Sequence, residues 1–253
     1  PTATMPRADQ VSFRSLARLT AGRRDAALAG AALASEIADW FDDWFELPVP
    51  DLPDLRDVQP YEAAAALRSM WGLGEMPAPN LVHLLEAHGV RVFSLVDECA
   101  DLDALSTWNE GTPFVFLTSH KSAERARWDA AHELGHLVLH LGAPPQGRLH
   151  EGEADEFARQ FLLPERGVVS RAPRSVSLDE VRAHKLFWRV SALAYIRRLH
   201  GLGRLTDWQY KSLIIEASQA GYRSREDDIA QLDGNVLRLD LRRDLPRRHA
   251  TRD

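Results

Sequence analysis

The chain has 253 residues, 45% of them hydrophobic and 27% charged, with a formal net charge of −6 when histidine is neutral. That is length enough for a sizeable core, and the composition excludes a disordered or fibrous chain. The acidic balance argues against the whole molecule coating nucleic acid nonspecifically. One cysteine, Cys99, excludes a disulfide framework and any cysteine-rich zinc module, and it suits a reducing, cytoplasmic setting. No stretch reads as a membrane span or a signal peptide.

Residues 12–46 predict one long helix or a bent pair. Phe13, Leu16, Leu19, Leu28, Leu33, Ile37, Trp40, Phe41 and Trp44 supply an apolar stripe at roughly helical spacing. Its end is acidic and reads as a solvated face. Pro48, Pro50 and Pro53 make Leu47–Asp54 an extended linker, so a boundary belongs there. A helix follows from Pro60 to Trp71, ended by Gly72 and Gly74. Another runs from Leu81 to Ala87 and stops at Gly89.

Val90–Val96 reads as a strand, and so does Leu105–Trp108. Asn109–Thr112 is a turn signal that pairs the second strand with a third, Pro113–Thr118. Ser122 opens a long helix to about Leu141, which Pro144 and Pro145 break. A further helix runs from about His150 to Leu163 and closes at Pro164. Ser177–Glu180 and Thr206–Gln209 are capping-box patterns, with a helix at residues 191–200 between them. The tail from Val236 holds six arginines and three aspartates with little periodicity. The expected division is residues 1–58, a helical segment and linker; 59–173, the central domain; and 174–253, a C-terminal helical region.

The chemistry concentrates in Ala131-His-Glu-Leu-Gly-His136. Residues four apart lie on one helix face and rise about 6 Å, so His132 and His136 can bring two imidazole nitrogens to one ion. Glu133 points about 100° away from His132. That is too far for a ligand in the same set, and close enough to take a proton from water at the ion. Leu134 and Val138 continue the inward pattern with Arg127 and Ala131, while Lys121 and Asp129 are expected outside.

Two histidines need a third protein ligand. On a wheel of residues 151–163, Ala154, Phe157, Ala158, Phe161 and Leu162 define the buried face. Glu151 is the acid most directed inward, and Glu153 is its main competitor. Asp155 is one turn on, where it could accept a proton from a ligand histidine. His140 continues the i, i+4 series but rises about 12 Å from His132, too far to share the ion. It reads as a surface residue or as support behind the ligands. His120 and His150 flank the motif helices and could polarise a carbonyl. If the strand Pro113–Thr118 is a sheet edge, an extended peptide could add to it.

At this point the sequence resembles the ImmA/IrrE family of metallopeptidases. The resemblance rests on Lys121-Ser-Ala-Glu-Arg-Ala-Arg-Trp-Asp-Ala-Ala-His-Glu-Leu-Gly-His-Leu-Val-Leu-His140, on Glu151-Gly-Glu-Ala-Asp-Glu-Phe-Ala158 and on Phe161-Leu-Leu-Pro164, and covers about residues 60–215. It implies an α+β fold: a small zincin-like domain with a short, mostly antiparallel sheet and helical flanks. It also implies that Glu151 is the third ligand. Asp155 stands where the family usually has Asn, and Leu163 where it has Met. Family members cleave helix-turn-helix repressors in stress, prophage or mobile-element responses, and many carry a DNA-binding domain before the peptidase. Residues 1–58 resemble the stretch C-terminal to such a domain, so an N-terminal truncation is expected.

The expected function is therefore a zinc-dependent endopeptidase, with manganese or iron as alternative ions. His132, His136 and Glu151 are the ligands, Glu133 the general base and Asp155 the support behind His132. The expected partner is a repressor-type regulatory protein, and no membrane. The alternative is a DNA-binding regulator or antitoxin-like module whose metal site senses or is vestigial. Its support is the helix at 191–200, whose Arg197 and Arg198 could touch phosphate, although that helix reads rather as one packed on the peptidase through Leu193, Ile196 and Leu199. A hydrolase acting on a non-peptide amide is also compatible with the motif.

Overall fold

The computed structural model describes residues 21–94, 104–118, 121–141 and 147–222. Residues 12–20 of the expected first helix, Leu95 and Val96 of the expected first strand, His120, Pro144, Pro145 and the tail from Val236 lie outside the described residues. The described chain is α+β, with helical regions on both sides of a small sheet. Its elements are α1 (Ala21–Trp44), α2 (Pro60–Met70), α3 (Leu81–Ala87), β1 (Arg91–Ser94), β2 (Ala104–Asn109), β3 (Thr112–Leu117), α4 (Ala123–Leu139), α5 (Arg148–Leu162), α6 (Glu165–Arg171), α7 (Leu178–Trp188), α8 (Ala192–Gly201) and α9 (Asp207–Gln219). The sequence reading missed only α6 among these, because it took Pro164 as a stop. Proline also starts helices, and here it is the N-cap of α6.

The sheet order is β1-β3-β2. β2 and β3 pair antiparallel through a turn in which Glu110 and Gly111 both have positive φ, 47° and 84°. That backbone twist is the one a two-residue hairpin needs. β1 pairs parallel with β3, Val92 opposite Val115. The sheet is thus mixed, its longer pairing antiparallel, and β3 is its central strand. Strand addition to Pro113–Thr118 is excluded, because β3 is already paired on both sides. Pro113 is tolerated there because β1 begins its pairing one residue later, at Phe114.

One face of the sheet presents Val92, Ala104, Val115 and Leu117 to the main core. α4 packs on this face, with Ala131, Leu134 and Val138 fully buried. α5 packs on α4 through Ala154, Phe157, Ala158 and Phe161, all 0% exposed. Each such Phe is worth about 1.5–3 kcal/mol of burial. The same apolar cluster continues through Trp188, Tyr195 and Ile196 to Ala217 in α9. Thr206 and Gln209 form the full reciprocal capping box at the start of α9.

Four expectations change. In α1 the large apolar residues face out: Leu33, Trp40 and Trp44 are more than half exposed, while Ala31, Ala34, Ser35 and Ala38 are buried. Small residues let the helix approach closely, and Ser35 accepts a hydrogen bond from the Asn109 side chain of β2. Asp129 is buried, not outside, because Lys121 and Arg125 pair with it at 3.0 and 3.2 Å. Arg198 is also buried. Its guanidinium donates to the carbonyl of Leu163, at 2.9 Å, and to Gln160, so it is not free for phosphate. Arg197 is exposed, and α8 packs inward through Tyr195, Ile196 and Leu199. The fourth is His140, which meets Glu153 of α5 instead of solvent. None of the described helices is long and apolar enough to cross a membrane.

Candidate metal centre

α4 begins where the Ser122 side chain accepts from the Arg125 amide. Its helical spacing sets His132 and His136 one above the other, facing α5. The gap to α5 is set by Gly135. A Cβ there would lie 3.1 Å from Phe157 Cδ1 and 3.3 Å from the Cα of Ala154. The glycine lets the two helices close until α5 side chains reach the histidines.

The Nε2 atoms of His132 and His136 are 3.2 Å apart. Glu151 places Oε2 3.6 Å from the first and Oε1 3.7 Å from the second. A tetrahedral ion with bonds of about 2.0–2.1 Å separates its ligand atoms by about 3.3 Å, so the spacing fits one divalent cation. The donor set fits too, with two imidazoles and one carboxylate, all within 4.8 Å of one another. The His132 Nδ1–H donates to Asp155 at 3.0 Å, which turns the Nε2 lone pair toward the other ligands. Glu153, the competitor on the wheel, turns away to His140 Nε2 at 2.9 Å.

Electrostatics point the same way. Burial pulls His132 down, but the Asp155 and Glu151 carboxylates bonded to it and the charge of Glu133 outweigh this and carry it up to about 10. Burial and the positive charge of His132 push His136 well below the usual histidine range. Asp155 is lowered: burial raises it, but its bond to His132 and that residue's charge prevail. The carboxylates therefore favour one positive charge at this point, while His136 keeps a free lone pair.

Glu133 is 3% exposed. Burial pushes it up to about 7, opposed by the charge of His132 and by the Ser106 hydroxyl. Ser106 Oγ donates to Glu133 Oε2 at 2.5 Å. Two residues on, Trp108 Nε1 donates to the carbonyl of Leu137 at 3.1 Å. Alternate β2 side chains thus meet successive turns of α4, since two strand residues span about 6.6 Å and four helix residues about 6 Å. Ser106 was missed in the sequence reading. Its only local signal was its place in a short strand beside the motif helix.

The remaining histidines sort themselves by geometry. His140 is not on the surface: its side chain is 9% exposed and its Nδ1 lies 2.8 Å from Nδ1 of His136. His150 stacks on the His140 ring, 4.0 Å between centroids at 11°. His120 lies outside the described residues.

Residues 85–200 match the family model described as Peptidase_M78, the IrrE N-terminal-like domain. No curated protein matches the chain. The matched stretch runs from the end of α3 to α8 and contains the whole cluster around His132. On this match and this fold, the domain at residues 85–200 belongs to the ImmA/IrrE family of metallopeptidases.

Proposed function

We propose that the chain is a zinc-dependent endopeptidase that cleaves a regulatory protein, of the helix-turn-helix repressor class, and so relieves transcriptional repression. The reading is carried by one observation: two imidazole nitrogens and a carboxylate converge within 4.8 Å beside a buried glutamate. Manganese or iron would suit the same donors less specifically than zinc.

His132, His136 and Glu151 would hold the ion, leaving a coordination position for substrate. Bound there, the ion would supply Lewis acidity: it acidifies water and polarises the scissile carbonyl. Asp155 fixes the His132 ring and tautomer. Ser106 engages one oxygen of Glu133, which leaves the other for proton transfer. Glu133 takes a proton from the attacking water and delivers it to the leaving amine. Burial of the glutamate keeps bulk water from competing for that proton.

The test is incubation of the purified chain with helix-turn-helix repressors from the same genome, with and without a chelator. Cleavage of one of them, stopped by chelator and restored by zinc, supports the reading. Intact repressors throughout, with zinc bound, would overturn the substrate class.

A further inference from the structure

Behind His136 lies a second group of donors: His140, His150 and Glu153, also mutually within 4.8 Å. It could be a second ion site or a support for the first, and proton positions decide between them. The argument rests on His136 being a ligand through Nε2, as proposed above. A neutral imidazole has one N–H and one lone pair. If His136 gives its Nε2 lone pair to an ion, its proton sits on Nδ1.

That proton lies in the 2.8 Å contact between Nδ1 of His136 and Nδ1 of His140. His140 must therefore accept there. A protonated Nδ1 on both rings would set two N–H groups head to head. His140 then carries its own proton on Nε2, and that atom lies 2.9 Å from Glu153 Oε2. A second ion ligated through His140 Nε2 needs a lone pair on the atom this count has protonated. Either ring can serve an ion through Nε2, but both cannot while they share one proton.

We infer that His140 and Glu153 form a relay behind the metal centre, His136 Nδ1–H to His140 Nδ1 and His140 Nε2–H to Glu153 carboxylate, which fixes the ring and tautomer of His136. It is the counterpart, one imidazole longer, of the direct Asp155 bond behind His132. His150 stacks on the His140 ring and holds its plane. His140 and Glu153 are positioning residues.

The test uses the full chain titrated with zinc alone, against a competing chelator, together with nitrogen NMR of its histidines in the loaded state. One zinc per chain is expected, with His136 protonated on Nδ1 and His140 on Nε2. Glu153→Ala should weaken zinc about 10–100-fold, the range for support groups of this kind. Glu153→Gln should recover part of that loss, because its amide oxygen still accepts from Nε2–H. The tautomers are read in the unmodified chain, so a variant that fails to fold leaves the proposal testable. A His140 protonated on Nδ1 overturns the relay. So do equal zinc affinities for wild type, Glu153→Ala and Glu153→Gln. Two zinc ions, the second lost in His150→Ala, would make the group an ion site instead. A chain that binds no zinc overturns the centre itself, and the relay with it.

Discussion

Arg68, Arg127 and Arg198 are only 2%, 4% and 7% exposed, as deeply buried as the histidines of α4. Yet the two regions handle buried polarity in opposite ways. The arginines end on backbone acceptors, with the Gln160 side chain added for Arg198. Arg68 donates to the carbonyls of Phe161, Gly74 and Met76, and Arg127 to those of Ala78 and Pro79. These bonds tie a loop to the helices that carry the arginines. In the α4–α5 seam, acceptor faces acceptor: lone pairs of His132, His136 and Glu151 are turned toward one point. One positive charge, a proton on His132 or a metal ion, reconciles them. Depth of burial does not separate a functional site from a structural strap; the direction of the polar atoms does.

Glu133→Gln tests the seam at its largest expected effect. The amide cannot accept the proton, so turnover should fall by roughly 10²–10⁴-fold. Zinc content should stay as in wild type, because Glu133 is not among the converging donors. Retained cleavage, measured as kcat on the same substrate, would refute the role given to this residue. The same loss from Arg68→Met in a folded, zinc-loaded chain would erase the distinction between the regions.

Lys185 and Glu124 probe the structural side. Both side chains are essentially inaccessible, and Lys185 Nζ lies 3.5 Å from Glu124 Oε1. Lys185→Met leaves a buried carboxylate without its cation and should cost about 3–5 kcal/mol in urea unfolding. The double variant with Glu124→Leu should recover most of that, since a buried ion pair is often no better than apolar packing. Zinc affinity should be the same in both. A double variant as unstable as the single would mean that the pair contributes net stability.

Gly135→Ala joins the two regions. The added methyl meets Phe157 and the α5 backbone at 3.1–3.3 Å, so α5 must move back by a few tenths of an ångström. Overpacking of this kind costs about 1–3 kcal/mol. Because Glu151 rides on α5, zinc affinity should fall with stability. A stability loss without any change in zinc affinity would show that the spacing of the helices is not what sets the site.

Range along the chain decided how much was legible in the sequence. His132, Glu133 and His136 share one helix, so their directions come from 3.6-residue geometry alone. Glu151 was readable for the same reason, by its angle to Ala154, Phe157 and Phe161 within α5. Ser106 and the central place of β3 were not. Both depend on which distant segment packs alongside, and β1 reaches β3 only by a non-local parallel pairing. Asp129 and Arg198 misled in a related way. A charge on a helix looks solvated until a partner from another segment, such as Lys121 or the Leu163 carbonyl, meets it. His140 is the intermediate case: its register on α4 was plain, but Glu153 behind it was not.

The smallest expected effect sharpens the comparison most. Asp155 is half exposed and holds His132 Nδ1–H at 3.0 Å. Asparagine, the residue that the family resemblance expects at this position, keeps an oxygen acceptor but loses the charge. Solvent already screens that charge, so Asp155→Asn should weaken zinc less than tenfold, below the usual 10–100-fold for a lost support group. Asp155→Ala removes the acceptor itself and should fall within that range. Titration of both variants with zinc decides it. Equal losses would mean that the charge matters and the bond direction does not, which would contradict the principle that atom direction marks the functional seam. A graded loss means that the carboxylate orients a ring, and that the attraction for the cation comes from the lone pairs converging in front of it.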